Sequence, residues 1–596
     1  MKILGVTLSY NSTAALLSEG KVLSCVNEER FTRRKNETGY PKEAIEYCLS
    51  ATGTAPRNLD WIALASFDVD PQRFIVKREC TFSVEDYLRE QHEYWYPLFY
   101  KGEKPDYLKI FSDKVDLTQY PERFSEVDFS SNKRVQEFVR FRVKMIANHL
   151  GIPEEKVVVV NHHKAHGYYA YYGSPFRDQD VLVLTADGFG DGANATVRVV
   201  KKGRMEHLST SSNCDVGRIY RYATLLLGMK PGEEEYKVMG LAPYATSFVS
   251  KRPFKIFRET LRPKGMQFEY LEKPNDLYFS FKKLLDGCRF DGIAGGLQRF
   301  TEEILSQWVL NCIEETGIRT VVFSGGVSNN VKAMMKLASL PAVEAFFVCP
   351  SGGDESLAIG AAYALCDEKM RAEGRNPAAI PPLTSVYLGP SVTWKDMEMV
   401  LKDAKPKFRY EILEDPSAKN TAKFLKEGRV LGRCSGPMEF GVRALGNRSI
   451  LANPSSSSMI KKVNRKIKQR DFWMPFAPTI LNERAKKYLV NPKELSSPFM
   501  TLAFRTTERA QSELSAALHP ADFTARPQIL KREENPEYYD LISAFERETG
   551  IGALLNTSLN LHGEPIVCTA QDALYVLEES ELDGLMVDHH LLLKKT

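Results

Sequence analysis

Apolar and polar positions come in strand-length blocks from the first residue onward. Ile3 to Thr7 is apolar, Ser9 to Thr13 is small and polar, Ala14 to Leu17 is apolar again, and Glu19-Gly20-Lys21 turns into Val22 to Val26. Short apolar runs bounded by turn residues predict strands joined by tight connections. Residues 181 to 207 repeat the plan: Val181 to Thr185 reads as a strand, Asp187-Gly188-Phe189-Gly190-Asp191-Gly192 as a glycine-rich turn, Ala195 to Val200 as a second strand, Lys201 to Arg204 as a charged turn, and Met205 opens a third. A further strand, Thr320 to Phe323, runs through Ser324-Gly325-Gly326-Val327-Ser328-Asn329-Asn330 into the helical pattern of Val331 to Ser339. After Gly353-Asp354-Glu355-Ser356, the small residues Ala358, Gly360, Ala361 and Ala362 predict a helix that packs closely on its neighbours.

Two strand, turn and hairpin units about 180 residues apart predict a duplicated α/β architecture with halves facing a cleft, as in the actin and sugar-kinase ATPases. Backbone N–H groups in the Ser324–Asn330 strand-to-helix turn could cradle a nucleotide phosphate. Residues 66 to 146 interrupt the first half as a mostly helical insertion, whose Tyr94-Trp95-Tyr96 run suits a satellite core more readily than a substrate pocket. The Gly- and Pro-bearing stretch Glu373 to Val392 reads as a linker, which divides the chain into residues 1–380 and 381–596.

Length and charge narrow the options. A chain of 596 residues exceeds one core. Its 80 Lys plus Arg against 76 Asp plus Glu leave a net charge of +4, too thinly spread to predict a nucleic-acid partner. No window reaches the roughly 18 apolar residues of a membrane helix, and polar Tyr10 to Thr13 break up the N-terminus as a secretory signal, so no membrane and a cytoplasmic location are expected. The 10 cysteines are scattered with no C-x-x-C pair, which predicts reduced thiols.

The chemistry-bearing residues fall in two groups. Val157 to Val160 reads as a strand before Asn161-His162-His163-Lys164-Ala165-His166 at a helix start, where His162 and His166 share one face and His163 points elsewhere. Two imidazoles with carboxylates from Asp187 or Asp191, and from Asp354, suit iron, manganese or zinc better than magnesium. A zincin-type protease is disfavoured, because the residue after the first histidine is His163 and not glutamate. In the second half, Gly441-Val442-Arg443 to Arg448, Lys468-Gln469-Arg470, Thr524-Ala525-Arg526 and Asn556 to Pro565 set cations, hydroxyls and amides on Gly- or Pro-bounded turns, which suits phosphate groups.

Taken in order, ILGVTLSYNSTAALL, NEERFTRRKN, NHHKAH, TADGFGDG, EEYKVMGLAPY, FSGGVSNN, GDESLAIGAA, FGVRALGNRSILANP, RDFWMPFAP, TARPQ and NTSLNLHGEPIV resemble the O-carbamoyltransferases of the NodU/CmcH type, which act in nodulation-factor and antibiotic biosynthesis, over nearly the whole chain. The resemblance implies an α/β fold: an N-terminal actin-like domain similar to the threonylcarbamoyl transferases, then a C-terminal YrdC-like domain. It implies metal ligands at His162, His166, Asp187 and Asp354, with iron favoured. It assigns the nucleotide to Lys237, Gly240, Ser324, Gly325, Gly326 and Asn329 in the first domain. In the second, Lys468 and Arg470, with Ser558 and Asn560, resemble the KxR and SxN elements that hold triphosphate and carbamoyl group, while Arg443, Arg448 and Arg526 match further anion-binding arginines. Two departures stand out: Tyr10-Asn11 where members often have His-Asp, and Val442 where they have proline.

The implied reaction uses ATP, Mg2+ and carbamoyl phosphate to make carbamoyl-adenylate in the C-terminal domain, then transfers the carbamoyl group beside the metal to a small-molecule hydroxyl. Proton removal falls to His163 or a metal-bound carboxylate. No nucleic-acid partner is expected, and a homodimer is an open option. The rival readings are a threonylcarbamoyl-type transferase acting on tRNA, a catalytically inactive nucleotide-binding scaffold, and a sugar kinase, which would not account for the histidines.

Overall fold

A computed structural model describes residues 1–116, 133–403, 406–414, 417–468 and 471–595. The chain forms two units, one of residues 1–24 and 37–383, the other of residues 25–36 and 384–596. The second unit therefore includes a short segment from near the N-terminus, which local sequence patterns do not predict.

The first unit holds two five-stranded sheets. One contains β1 (Lys2–Thr7), β2 (Thr13–Ser18), β3 (Lys21–Asn27), β4 (Trp61–Ala65) and β5 (Val157–Val160) in the order 3-2-1-4-5. The other contains β6 (Val181–Gly190), β7 (Ala193–Lys201), β8 (Arg204–Ser211), β9 (Thr320–Ser324) and β10 (Ala345–Val348) in the order 8-7-6-9-10. In each sheet the first strand pairs antiparallel with its hairpin partner and parallel with the strand that follows the long excursion. The two halves thus share one topology, the duplicated actin-like α/β plan.

One detail differs from the sequence pattern. Strand β6 continues through the predicted turn to Gly190, with its pairing to β7 irregular between Ala186 and Gly190, and the chain reverses at Asp191-Gly192, both in the left-handed region. The irregularity frees Asp187 from the ladder while keeping it at the strand end.

Two helices fix the site. Asn161 caps the His162–Gly173 helix by accepting the Lys164 N–H, which starts the helix directly after β5. The Leu357–Ala372 helix crosses it at Gly360, where an added Cβ would lie 2.2 Å from the Ala165 carbonyl oxygen. Gly5 in β1 meets the same helix still more closely, at Ala358. The small residues in this helix allow backbone to rest on backbone, so the start of one helix and the start of the other are held in register.

In the second unit a mixed eight-stranded sheet runs in spatial order Tyr410–Glu414, His590–Lys594, Gly584–Val587, Leu431–Cys434, Arg448–Ala452, Ala553–Ser558, Ala477–Leu481 and Gln528–Leu530. Its core includes Ile450, Leu555, Val567, Leu574, Val576 and Leu585. Among the described residues no helix is long and apolar enough to cross a membrane.

Candidate active sites

In the first unit His162, His166, Asp187 and Asp354 bring one ligand atom each to within 4.8 Å of one another. His166 Nε2 lies 3.0 Å from Asp187 Oδ2 and 3.8 Å from Asp354 Oδ1, and His162 Nε2 lies 3.4 Å and 3.7 Å from the same two atoms. The rings are turned by their far nitrogens: His162 Nδ1 is 3.0 Å from Ser66 Oγ, and His166 Nδ1 is 3.5 Å from Ser324 Oγ. A hydroxyl behind each ring leaves both Nε2 atoms aimed at the carboxylates, the orientation that metal-binding imidazoles require.

Electrostatics agree with a cation position. Burial opposes charge on His166, but its hydrogen bond to Asp187 and the nearby Asp187 and Asp354 carboxylates outweigh it and lift the imidazole to about 9. Burial would raise Asp187, yet its bonds to both imidazoles and the His166 charge hold the carboxyl well below the usual range. A site that retains a proton between two carboxylates can exchange it for a metal ion. Two imidazole nitrogens and two carboxylate oxygens fit iron, manganese or zinc.

The structure separates the two aspartates that the sequence leaves as alternatives. Asp191 accepts the backbone N–H groups of Phe67, Asp68 and His162, at 2.9, 2.7 and 2.6 Å, so both its oxygens pin backbone. Asp187 keeps Oδ2 for the histidines while Oδ1 accepts the Gly188 N–H at 2.6 Å.

Three of the expected site residues are buried and held by internal partners. His163 is buried with Nδ1 2.9 Å from Thr185 Oγ1, and burial with its two histidine neighbours pushes it down to about 3. Ser324 is fully buried, its hydroxyl facing His166 and the Gly352 carbonyl, not the open side of its turn. Arg448 is also fully buried and donates to the carbonyls of Ser435, Gly436, Asn447 and Pro390, leaving it a brace for backbone in place of an anion ligand.

The rest of the glycine turn adjoins the cluster. Gly325 adopts φ 96°, and a Cβ there would lie 2.2 Å from the Ala186 carbonyl oxygen; at Gly326 it would lie 2.9 Å from Asp187 Oδ1. Asn329 stays exposed on the same turn. Lys237, on the Glu235–Leu241 helix with buried Gly240, pairs with Glu234 at 2.7 Å. Tyr10 donates its hydroxyl to the Gly232 carbonyl at 2.7 Å, and Asn11 takes a left-handed turn conformation.

In the second unit Lys468 is buried and its Nζ donates to the Ser558 carbonyl, to Ser558 Oγ at 3.2 Å, to the Asn560 carbonyl at 3.0 Å and to Asn560 Oδ1 at 2.6 Å. Arg470 lies outside the described residues. Arg443 is half-buried and Val442 exposed in a loop organised by Glu439, whose Oε1 accepts the N–H groups of Leu445, Asn447 and Arg448 at 2.7, 2.7 and 3.2 Å. Arg526 is half-buried and donates to the Met500 carbonyl at 3.4 Å. Arg33, from the N-terminal segment, donates to the carbonyls of Ile566 at 2.8 Å and Pro565 at 3.0 Å, beside the Asn560 loop. The organising roles of Ser66, Glu439 and Arg33 escape the sequence reading; the capping-type spacing of neither serine nor glutamate signals them.

Comparisons with known proteins agree with this arrangement. The models for the carbamoyltransferase N-terminus and C-terminus match residues 2–363 and 422–594. An uncharacterized protein of Methanocaldococcus jannaschii is 30% identical over 99% of this chain and 99% of its own. Nodulation protein NolNO of Sinorhizobium fredii is 30% identical over 99% of this chain and 80% of its own. The 3'-hydroxymethylcephem-O-carbamoyltransferase of Streptomyces clavuligerus is 31% identical over 44% of this chain and 47% of its own. With both family models matched in chain order on the two units just described, this chain is an enzyme of the carbamoyltransferase family, of the NodU/CmcH type.

Proposed function

We propose that the chain is an ATP-dependent O-carbamoyltransferase that activates carbamoyl phosphate as carbamoyl-adenylate and passes the carbamoyl group to a hydroxyl of a small molecule. The gathering of His162, His166, Asp187 and Asp354 within 4.8 Å carries this reading, because a phosphate-binding scaffold or a sugar kinase has no need of it. The hydroxymethyl acceptor in the name of the cephem relative supports a hydroxyl acceptor here too.

In the second unit, whose fold we take to be YrdC-like, carbamoyl phosphate would lose phosphate to one water, and the carbamate oxygen would attack the α-phosphorus of ATP and displace pyrophosphate, with Mg2+ accompanying the nucleotide. Lys468 would exchange its internal acceptors, Ser558 and Asn560, for the anionic group, while Arg443, Arg470 and Arg526 offset charge growing on the phosphates. In the first unit the Gly325–Gly326 turn, with Asn329, Lys237 and Gly240, would seat the adenylate. His162, His166, Asp187 and Asp354 would hold the metal, iron before manganese or zinc, which when bound would supply Lewis acidity at the carbamoyl oxygen. Ser66 and Ser324 keep the two imidazoles aimed. With His163 held neutral, Asp354, the more accessible of the two carboxylates at 24% against 14%, is the better placed acceptor of the hydroxyl proton. The acceptor oxygen then bonds to the carbamoyl carbon as the bond to AMP breaks.

Mixing the protein with ATP, Mg2+ and carbamoyl phosphate should release pyrophosphate only when carbamoyl phosphate is present. H162A should retain that release and lose acceptor carbamoylation, and K468A should lose the release. If H162A abolishes both, the proposed division of labour fails.

A further inference from the structure

The helical insertion of the first unit contains a cluster of charges that the catalytic scheme does not use. The Pro71–Glu79 helix carries Arg73 and Lys77 four residues apart, on one face. Both face Glu90, a carboxylate that is 2% exposed, with Arg73 Nη2 3.7 Å and Lys77 Nζ 3.9 Å from its Oε1. Those separations are too long for hydrogen bonds. Glu90 Oε1 instead accepts the Tyr107 hydroxyl at 2.7 Å. A third cation, Arg221 on the Val216–Leu226 helix, acts on the same carboxylate and lies 6.0 Å above the Tyr87 ring. Burial would raise Glu90, but the charges of Lys77, Arg73 and Arg221 prevail and lower it to about 2.

The cluster is unbalanced. Asp70, the other carboxylate near Arg73, is held by Arg134 at 3.0 and 2.8 Å and caps its own helix. Glu235 also acts on Arg221, and burial raises its carboxyl. Arg73, Lys77 and Arg221 thus converge on one fully buried carboxylate, Glu90. Arg73 Nε and Lys77 Nζ are buried with no hydrogen-bond partner among the described residues. Aromatic faces hold them in place of acceptors: Lys77 Nζ is 3.1 Å from the centre of the Phe82 ring, and the Arg73 guanidinium is 4.7 Å from that of Trp95. Buried donors of like charge without an acceptor are costly. Arg73 still exposes 32% of its side chain, so a ligand can reach the outer part of its guanidinium, whereas the 20% that Lys77 exposes is its stem, its Nζ being buried.

Position ties the cluster to the reaction. Gly217, in the first turn of the helix that carries Arg221, sits so close to Asp187 that a Cβ would lie 3.3 Å from its backbone oxygen. Arg221 follows four residues later on the same face, about 6 Å along the axis. The insertion itself leaves β4 at Ser66, which holds His162.

We propose that Arg73, Lys77 and Arg221, walled by Tyr87 and Trp95, form the acceptor-recognition site and select acceptors that bear an oxyanion, such as a carboxylate, sulfate or phosphate, next to an apolar or aromatic ring. The word acceptor rests on the carbamoyl-transfer reading; the binding site does not. Phenyl phosphate titrated into the full-length, metal-loaded protein by calorimetry tests it, with phenol and inorganic phosphate as separate arms. Phenyl phosphate should bind more tightly than inorganic phosphate, with phenol showing no binding. R73Q and R221Q should each weaken the phenyl phosphate affinity at least tenfold, R221K should recover part of it, and E90Q, which removes the competing carboxylate, should tighten it. Phenyl phosphate affinity within twofold of the native value in folded R221Q, equal binding of phenol, or an equal loss in E90Q would each overturn the site. H162A should bind phenyl phosphate normally even while it fails to carbamoylate, so a failure of the catalytic reading leaves a different signature from a failure of this one.

Discussion

The contact at Gly360 permits a sharp test of how the first unit holds its ligand cluster. In G360A the new methyl would start 2.2 Å from the Ala165 carbonyl oxygen, 2.7 Å from its carbon and 3.1 Å from Tyr169 Cβ. A carbon bearing hydrogen ordinarily stays about 3.3 Å from a carbonyl oxygen, so the two helices must part by roughly 1 Å. Overpacking of this kind costs about 1–3 kcal/mol, and the better helix propensity of alanine returns about 1 kcal/mol, which leaves a net loss of about 0–2 kcal/mol. The functional loss should be larger than the stability loss. Asp354 sits immediately before the Leu357–Ala372 helix and His166 immediately after Ala165, so the wedge widens the present 3.8 Å gap between them. A displacement near 1 Å at a reacting centre can cost on the order of a hundredfold in rate. G360A should thus lower acceptor carbamoylation, followed by mass spectrometry, by one to two orders of magnitude, and should lose metal to a chelator more readily, while pyrophosphate release stays at the native rate. Transfer within twofold of native, with unchanged metal retention, would refute the reasoning that these two helices set the ligand geometry.

Other perturbations probe other parts of the fold. R448M removes a guanidinium that serves four carbonyls and should destabilise the second unit by about 3 kcal/mol or more in urea unfolding; a loss below about 1 kcal/mol would return Arg448 to the candidate anion ligands. R33A should depress the carbamoyl-phosphate-dependent pyrophosphate rate and speed amide exchange around Asn560 and Pro565, and unchanged exchange there would deny the N-terminal segment its organising role. Lys77 predicts a pH dependence: burial drops it to about 7 against Glu90's attraction, whereas the unfolded chain keeps the proton to about 10.5. The unfolded state therefore binds more protons between those values, and stability should climb with pH across that window, by at most about 1.4 kcal/mol per pH unit, and be level below it. K77M should flatten the climb and raise stability at pH 6; an identical pH profile in K77M would assign the slope elsewhere.

The parts of this molecule that were legible in sequence are those whose signals are local. The β1–β3 hairpins and their repeat in β6–β8 carry turn residues at the reversals, and the histidine pair follows from the helical period once Asn161 provides a cap. Asp187 and Asp191 could not be separated because both lie in one glycine-rich run, and only the arrival of the Phe67, Asp68 and His162 N–H groups distinguishes the backbone anchor from the free carboxylate. Ser66 had no local signal, since its role depends on a ring 96 positions away.

Arginine is the residue type whose availability to a ligand local sequence says least about, and the reason is physical. A guanidinium offers five donors in a fixed fork, and a cluster of backbone carbonyls can take up its Nη donors as a phosphate does. Arg443 and Arg448 stand in the same glycine-bounded loop, yet Arg448 enters the strand that pairs with Leu431–Cys434 and is drawn inward onto carbonyls, while Arg443 precedes that strand and stays half-buried. The same logic sends Arg30 to the Gly441 carbonyl and Arg33 to the Pro565 turn. Whether strand pairing and the carbonyls it gathers draw an arginine inward decides which arginines remain available to a ligand. In this chain Arg73 and Lys77, which share the Glu90 carboxylate with Arg221 at distances too long for hydrogen bonds, are candidates that no sequence motif marks.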